Sequence, residues 1–222
     1  MVFLYSMKNP ALVIVDMQKY YLDSNSAYSK YFDHLYPGSL SYIGERSYNI
    51  VIPNIVKLRD CFKSLNLPII YFRLCGKKPD RSDLHRFFKQ TYDDGLSKGF
   101  EGVYPIEADT AADIVDELKP DHDDIIINKT TFSAFSSSDI ESVLKSLNIN
   151  TLVFTGLATS QCVETSARDA SDWGFDVFHI HDAQADYSEM EHNASLYSSG
   201  AVCGGLIYDT DSFIHLLKGS CI

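Results

Sequence analysis

Residues Gly156-Leu157-Ala158-Thr159-Ser160-Gln161-Cys162-Val163-Glu164-Thr165-Ser166-Ala167-Arg168-Asp169-Ala170 put a cysteine where the chain changes element type. The apolar run Thr151-Leu152-Val153-Phe154-Thr155 ahead of them reads as a strand. A tight turn and then a helix follow, with Cys162 where the helix should begin. A helix N-terminus carries about half a positive charge and unsatisfied N–H groups. Both favour a thiolate over a thiol, and the thiolate is the nucleophile. The same N–H groups could stabilise an oxyanion formed by attack on a carbonyl. The competing reading is a buried structural cysteine, because cysteine is among the most buried residue types. The position at the turn and two distant charged residues tip the balance towards chemistry.

The first of these is Asp16, which ends the apolar run Ala11-Leu12-Val13-Ile14-Val15. A carboxylate at the end of a buried strand is costly without a partner. The second is Lys129, just past Ile125-Ile126-Ile127-Asn128. Either residue alone reads equally well as a strand-end charge facing water. An aspartate, a lysine and a cysteine at the carboxyl ends of three strands together suggest a reactive group.

The elements that must position them alternate along the chain. Strand-like runs fall at 11–15, 68–72, 124–127, 151–155, 175–180 and, weakly, 206–208. Helical spacing covers 48–65, 109–118 (with Asp109 as N-cap), 138–147, 160–173, 189–199 and 211–217. The strands are nearly all apolar rather than alternating, which suits a parallel sheet covered on both faces. Repeated βα units imply right-handed crossovers and an α/β, doubly wound, Rossmann-like domain over 1–222. Ligands of such sheets bind beyond the carboxyl ends of the strands, where Asp16, Arg73, Lys129 and Cys162 fall. No glycine-rich phosphate loop follows any strand, so a nucleotide site has no motif behind it. Segments 20–47, rich in Tyr and Ser, and 74–107 lack strong periodicity. They read either as loops covering a substrate or as mobile surface insertions.

Composition bounds the rest. The 222 residues are 45% hydrophobic, ordinary for a soluble globular protein. No apolar run reaches the roughly 18 residues of a membrane span, and Met1 to Met7 lacks the basic region and cleavage site of a secretory signal. A formal charge of −11 argues against nucleic acid and anionic membranes as partners. The five cysteines, at 61, 75, 162, 203 and 221, are odd in number and follow no zinc-ligand spacing. A reduced, cytoplasmic compartment is the simplest expectation.

Three stretches carry a resemblance to a known family. Val13-Ile14-Val15-Asp16-Met17-Gln18, Lys129-Thr130-Thr131-Phe132-Ser133-Ala134-Phe135 and Thr155-Gly156-Leu157-Ala158-Thr159-Ser160-Gln161-Cys162-Val163 resemble the signatures of the isochorismatase-like cysteine hydrolases, in order, over about residues 10–210. The resemblance implies a six-stranded, mostly parallel sheet with helices on both faces. It also implies a catalytic triad of Asp16, Lys129 and Cys162, and a homodimer or homotetramer. It places a cis peptide at Leu157–Ala158, exposing the Ala158 N–H beside that of Cys162 as an oxyanion hole. Asp16 would take the thiol proton, the thiolate would attack a carbonyl, and a thioester would form and be hydrolysed.

Departures from the family pattern narrow the reaction. True isochorismatases resemble this pattern with a non-nucleophilic residue at the Cys162 position, so Cys162 favours acyl-enzyme chemistry on a C–N bond. Nicotinamidases carry an Asp-x-His metal motif after the second strand, where this chain reads Phe72-Arg73-Leu74-Cys75-Gly76. No metal or cofactor is therefore expected; the alternative is an irregular site from His85 with Asp80 or Asp83. The block Thr151 to Asp169 looks like the ureido-group hydrolases, which act on ureidoacrylate, biuret and N-carbamoyl compounds. The expected substrate is accordingly a small amide or ureide. Nicotinamidase-type activity is the alternative among enzymes, and a non-catalytic binding or thiol redox-sensing protein is the alternative of another class.

Substrate contacts are assigned to six residues. Arg73 could hold a carboxylate through its planar fork, or be a solvated or ion-paired charge. Gln18 could hydrogen-bond near Asp16 or cap the strand end. Phe132 and Phe135 could wall the pocket or belong to the core. Leu157 and Thr159 flank the turn before Cys162. Tyr20, Tyr21 and Tyr28 belong to a segment that could cover the site. His179 and His181 share one strand face and read as satisfied strand histidines. Asp182 reads as a support for the sheet edge or a subunit contact, and Cys203 as part of a turn before the last strand.

Overall fold

Every residue of Pro10-Ala11-Leu12-Val13-Ile14-Val15 is buried in strand β1 (Pro10–Val15), so both of its faces are covered. Leu12 and Ile14 point into one core, Ala11, Val13 and Val15 into another. That two-sided burial is what an unbroken apolar run means in a parallel sheet.

The computed structural model describes residues 7–200 and 205–220. After β1 come α1 (Lys19–Leu22), α2 (Ala27–Leu35), α3 (Ser41–Arg46), α4 (Ile52–Ser64), β2 (Ile69–Leu74) and α5 (Arg86–Ser97). Then follow β3 (Ile125–Lys129), α6 (Ile140–Ser146), β4 (Thr151–Leu157), α7 (Glu164–Asp172), β5 (Asp176–Ala185), α8 (Glu189–Ser199), β6 (Leu206–Tyr208) and α9 (Thr210–Ser220). The six strands form one sheet in the order β3-β2-β1-β4-β5-β6, and every neighbouring pair is parallel. One core packs α4 (Ile55, Leu58, Phe62) and α9 (Phe213, Leu217) under the sheet. The other packs α6 (Ile140, Leu144) and α7 (Ala167, Ala170) over it.

The strand order reverses at β1. The chain leaves β1 towards β2 and β3, then returns to β4 on the other side. The crevice between the carboxyl ends of β1 and β4 is therefore the switch point at which such sheets bind ligands. Asp16 follows β1 directly, and Cys162 lies just beyond β4.

Three sequence expectations are corrected. Segment 20–47 holds α1, α2 and α3, and segment 74–107 holds α5, so neither is an extended loop. Their aromatic residues (Tyr20, Tyr28, Tyr31, Phe88, Tyr104) build a third hydrophobic cluster with Leu74. Segment 109–118 is not a helix but two single turns, at Thr110–Ala112 and Asp116–Leu118. Its backbone is drawn to the chain after β1: Lys19 N–H donates to Asp113 O (2.8 Å) and Val115 N–H to Met17 O (3.0 Å). Asp109 turns its carboxylate back to the Ile106 N–H (3.0 Å) instead of capping a helix. Finally, β5 runs on through His181 and Asp182 to Ala185, across a register shift against β4. Cys203, Cys221 and the leader reading of residues 1–6 lie outside the described residues. Among the described residues, no helix is long and apolar enough to cross a membrane.

Candidate active site

Asp16 leaves β1 in the left-handed region, at φ +50°. Few residue types adopt that conformation, and aspartate is among the more tolerant. Its N–H is held by Phe72 O of β2 (3.0 Å), and its O accepts the Gln18 N–H (2.8 Å). Lys129 is the last residue of β3 and pairs in register with Leu74 of β2. Gly156 brings β4 against β1: at φ +99°, a Cβ there would sit 2.1 Å from Val15 O. Only glycine permits that approach. The Leu157–Ala158 peptide is cis. The Ala158 carbonyl then accepts N–H bonds from Gln161 (3.0 Å) and Val163 (3.2 Å), the second closing a wide π-helical turn over Thr159–Val163 ahead of α7. Asp186 Oδ2 pins this turn through the Ser160 N–H at 2.6 Å.

These elements bring Asp16, Lys129 and Cys162 together. Lys129 Nζ donates to Asp16 Oδ2 at 2.8 Å, to Cys162 Sγ at 3.2 Å and to Thr131 O at 3.2 Å. Those contacts use all three donors of an ammonium. Lys129 is 0% exposed, Asp16 3% and Cys162 5%. Asp16 Oδ1, by contrast, is buried and without a hydrogen-bond partner among the described residues.

Burial pushes the Cys162 thiol well above its ordinary range, and the Asp16 carboxylate adds to this, against the pull of Lys129. Desolvation therefore works against the thiolate that a helix end would favour. Burial alone would lower the Lys129 ammonium, but Asp16 and Cys162 hold it above its usual value.

Asp16, Ala158 and Cys162 open into a cavity of about 150 Å³. Its walls are aromatic: Tyr21, Tyr28 and Phe32 come from the segment after β1, and Phe87, Phe88 and Tyr104 from the segment after β2. Leu74, Gln161 and Tyr187 complete it. Tyr187 Oη lies 2.5 Å from Tyr21 Oη and 3.4 Å from Tyr28 Oη.

Several residues assigned to substrate sit elsewhere. Gln18 is 0% exposed and fully engaged: its Oε1 accepts Leu74 N–H (2.8 Å), and its Nε2 donates to Leu74 O (3.2 Å) and Ala112 O (2.8 Å). Arg73 points to the opposite side of β2 from Leu74, where its Nε donates to Asn128 Oδ1 (2.9 Å) and its Nη1 to Asp113 Oδ1 (3.3 Å). Strand alternation forces this: Leu74 faces the cavity, so Arg73 cannot. Phe135 packs on Trp173 and Phe175 in the core over the sheet. Phe132 stands behind the wall, its ring 4.5 Å from that of Phe88. Leu157 is 0% exposed in the core under the sheet. Thr159 is buried with its hydroxyl 2.8 Å from His192 Nδ1.

The residues of the alternative metal reading serve local turns. His85 Nδ1 accepts the Phe87 N–H at the start of α5, Asp83 accepts the N–H groups of Lys77 and Lys78, and Asp80 accepts that of Ser82. Asp182 caps α9, accepting the Thr210 N–H (2.9 Å) and hydroxyl (2.7 Å). His179 is buried on β5 with Nδ1 3.2 Å from Gln184 Nε2. A fifth strand that ends at Ile180 leaves Tyr187 without a signal in the sequence, whereas β5 extends to Ala185. Read to Ala185, the strand-end rule points at Asp186 and Tyr187. No sequence signal distinguishes Tyr104 or Phe88.

Comparison with known proteins gives consistent matches. A model of the isochorismatase domain matches residues 10–207. The chain is 28% identical over 192 residues to an uncharacterized isochorismatase family protein, YrdC, of Bacillus subtilis, covering 86% of this chain and 82% of that one. It is 32% identical over 169 residues to the ureidoacrylate amidohydrolase RutB of Agrobacterium fabrum, covering 72% and 68%. The chain spans about half the length (47%) of the enterobactin synthase component B of Escherichia coli, at 34% identity over 147 residues. Among solved structures, a cysteine hydrolase from Pseudomonas syringae superposes with a TM-score of 0.76 at 23% identity, over 96% of this chain and 93% of that one.

Proposed function

The chain belongs to the isochorismatase family of hydrolases, and from that premise we propose that it cleaves a C–N bond of a small amide or ureide, without a metal, through a thioester on Cys162. One observation carries this reading: a single buried ammonium, Lys129 Nζ, bridges a carboxylate and a thiol at 2.8 and 3.2 Å. Asp16 Oδ1, the carboxylate oxygen that Lys129 does not engage, is the base.

In the first half-reaction the substrate carbonyl carbon meets Cys162 Sγ. Asp16 takes the thiol proton as the S–C bond forms, and the carbonyl electron pair moves onto oxygen. Burial raises the thiol, which supports a proton transfer coupled to attack. Lys129 keeps Asp16 oriented and balances the charge that passes from carboxylate to sulfur. The N–H groups of Ala158 and Cys162 are assigned to the oxyanion. Collapse breaks the C–N bond, and Asp16 returns its proton to the leaving amine. In the second half-reaction Asp16 accepts a proton from water, the oxygen attacks the thioester, and the thiol leaves as Cys162 regains its proton.

Ammonia or amine release from a panel of small amides and ureides, with and without chelator, tests this reading. Chelator-resistant turnover that disappears in Cys162→Ala and Asp16→Asn is the expected outcome. Retained activity in either variant overturns the mechanism, and loss of turnover with chelator overturns the metal-independent reading. The relatedness to the ureidoacrylate amidohydrolase supports including ureides in the panel.

A further inference from the structure

The cavity beside Cys162 is small and its walls carry little charge. None of the described residues lining it is a lysine, arginine or histidine. The one carboxylate, Asp16, is neutralised by Lys129 at 2.8 Å. Lys129 itself has no donor to spare, since Asp16, Cys162 and Thr131 take all three. Arg73, next in sequence to Leu74 of the wall, is turned away and bound to Asn128 and Asp113. The remaining polar groups are the phenols around Tyr187 and the amide of Gln161. Burial raises the phenols of Tyr21, Tyr28, Tyr104 and Tyr187, so they stay neutral.

We propose that this cavity selects compact amides or ureides whose body is uncharged, and rejects those that carry a carboxylate. The assignment rests on the hydrolase reading for the chemistry at Cys162, but concerns only what the cavity admits. Size sets the first limit: an apolar cavity of about 150 Å³ holds a benzene-sized body. Charge sets the second. A carboxylate there would lose its hydration, meet the negative faces of aromatic rings and lie near Asp16 with no cation among the described lining residues to receive it. A neutral polar tip, by contrast, finds donors and acceptors in the linked hydroxyls of Tyr21, Tyr28 and Tyr187.

Isosteric ligand pairs test this directly. N-isobutylurea and ureidoacetate have the same number of heavy atoms and differ in charge; so do 3-methylbutanamide and malonamate. Binding of each to Cys162→Ala, which cannot turn them over, is measured by calorimetry or ligand-observed NMR. The neutral member of each pair is expected to bind more tightly by about tenfold or more. Equal or tighter binding of the carboxylate member overturns the proposal, and so does failure of both neutral ligands to bind at millimolar concentration. Phe87→Arg, at a half-exposed position on the cavity wall, is expected to narrow or reverse the preference; an unchanged preference counts against the charge argument. The hydrolase reading fails separately. If the neutral ligands bind preferentially but the unmodified protein releases no amine from any of them, the selectivity stands and the chemistry at Cys162 falls.

Discussion

Lys129 Nζ lies 2.8 Å from Asp16 Oδ2 although 113 residues separate them in sequence, and neither is open to water. Removing one member of such a pair leaves the other charge buried and uncompensated, at a cost of about 3–5 kcal/mol. Lys129→Met is therefore expected to lose stability on that scale as well as all turnover. The double variant Asp16→Asn/Lys129→Met should recover much of the stability and none of the activity. Denaturant unfolding of the unmodified protein, the two single variants and the double variant checks this; a double variant no more stable than Lys129→Met would remove the pair as the source of the loss.

Thiol reactivity and turnover are expected to move in opposite directions in Asp16→Asn. Burial first, then the Asp16 charge, hold the Cys162 proton on, while Lys129 pulls the other way. Without the carboxylate only burial opposes the thiolate, and Lys129 then favours it. Alkylation of Cys162 by iodoacetamide at pH 7.5 should quicken by about tenfold, one pKa unit, while amide hydrolysis is lost with its base. Labelling slower than in the unmodified protein would mean that Asp16 activates the sulfur even without substrate.

The catalytic candidates were readable because each sits at the end of an apolar strand, a position that topology fixes. Asp16 and Lys129 betray themselves as charges that end apolar runs, and the glycine before Cys162 marks the close approach of β4 to β1. The pocket was much less legible. Its walls are tyrosines and phenylalanines from segments without periodicity, and an aromatic side chain in a sequence does not say whether it faces a core or a cavity. Arg73 and Gln18 show the converse: a polar residue near a strand end need not face the cavity. Both stand at strand ends in the right register, yet one points to the other face and the other spends its amide on Leu74 and Ala112. Tyr187 stays hidden because the apolar run ends at Ile180, whereas the strand continues through His181 and Asp182 to Ala185.

His192 gives a pH signature. Burial, followed by the Arg46 charge and His181, depresses its pKa from 6.5 to about 4. Facing it are Thr159, whose hydroxyl bonds Nδ1 at 2.8 Å, and Arg46, with Nη2 3.5 Å from Nε2. Below about pH 6.5 the unfolded chain takes up a proton that the native imidazole refuses, so stability is lost as pH falls from 6.5 towards 4 and is unaffected above that window. His192→Gln, which keeps a hydrogen-bonding group near Thr159, is expected to flatten the dependence. Melting temperatures of both proteins at pH 7.5 and 5.0 decide it; parallel falls would place the acid sensitivity elsewhere.

Gln18 and Arg73 should separate stability from activity in opposite ways to what their positions in the sequence suggest. Gln18→Ala strands the buried N–H and O of Leu74 and the O of Ala112, a loss of about 2–4 kcal/mol. Leu74 also lines the cavity, so residual activity should fall through a loosened wall, with KM rising more than kcat falls. Arg73→Ala breaks bonds to Asn128 and to Asp113, the latter a half-exposed carboxylate, worth about 1 kcal/mol together. Because the guanidinium never reaches the cavity, kcat/KM for a small neutral amide should stay within about twofold of the unmodified protein. Unfolding curves and steady-state kinetics on the two variants test both statements. A selective collapse of kcat/KM for carboxylate-bearing ureides in Arg73→Ala would show that the arginine swings into the site when such a substrate arrives.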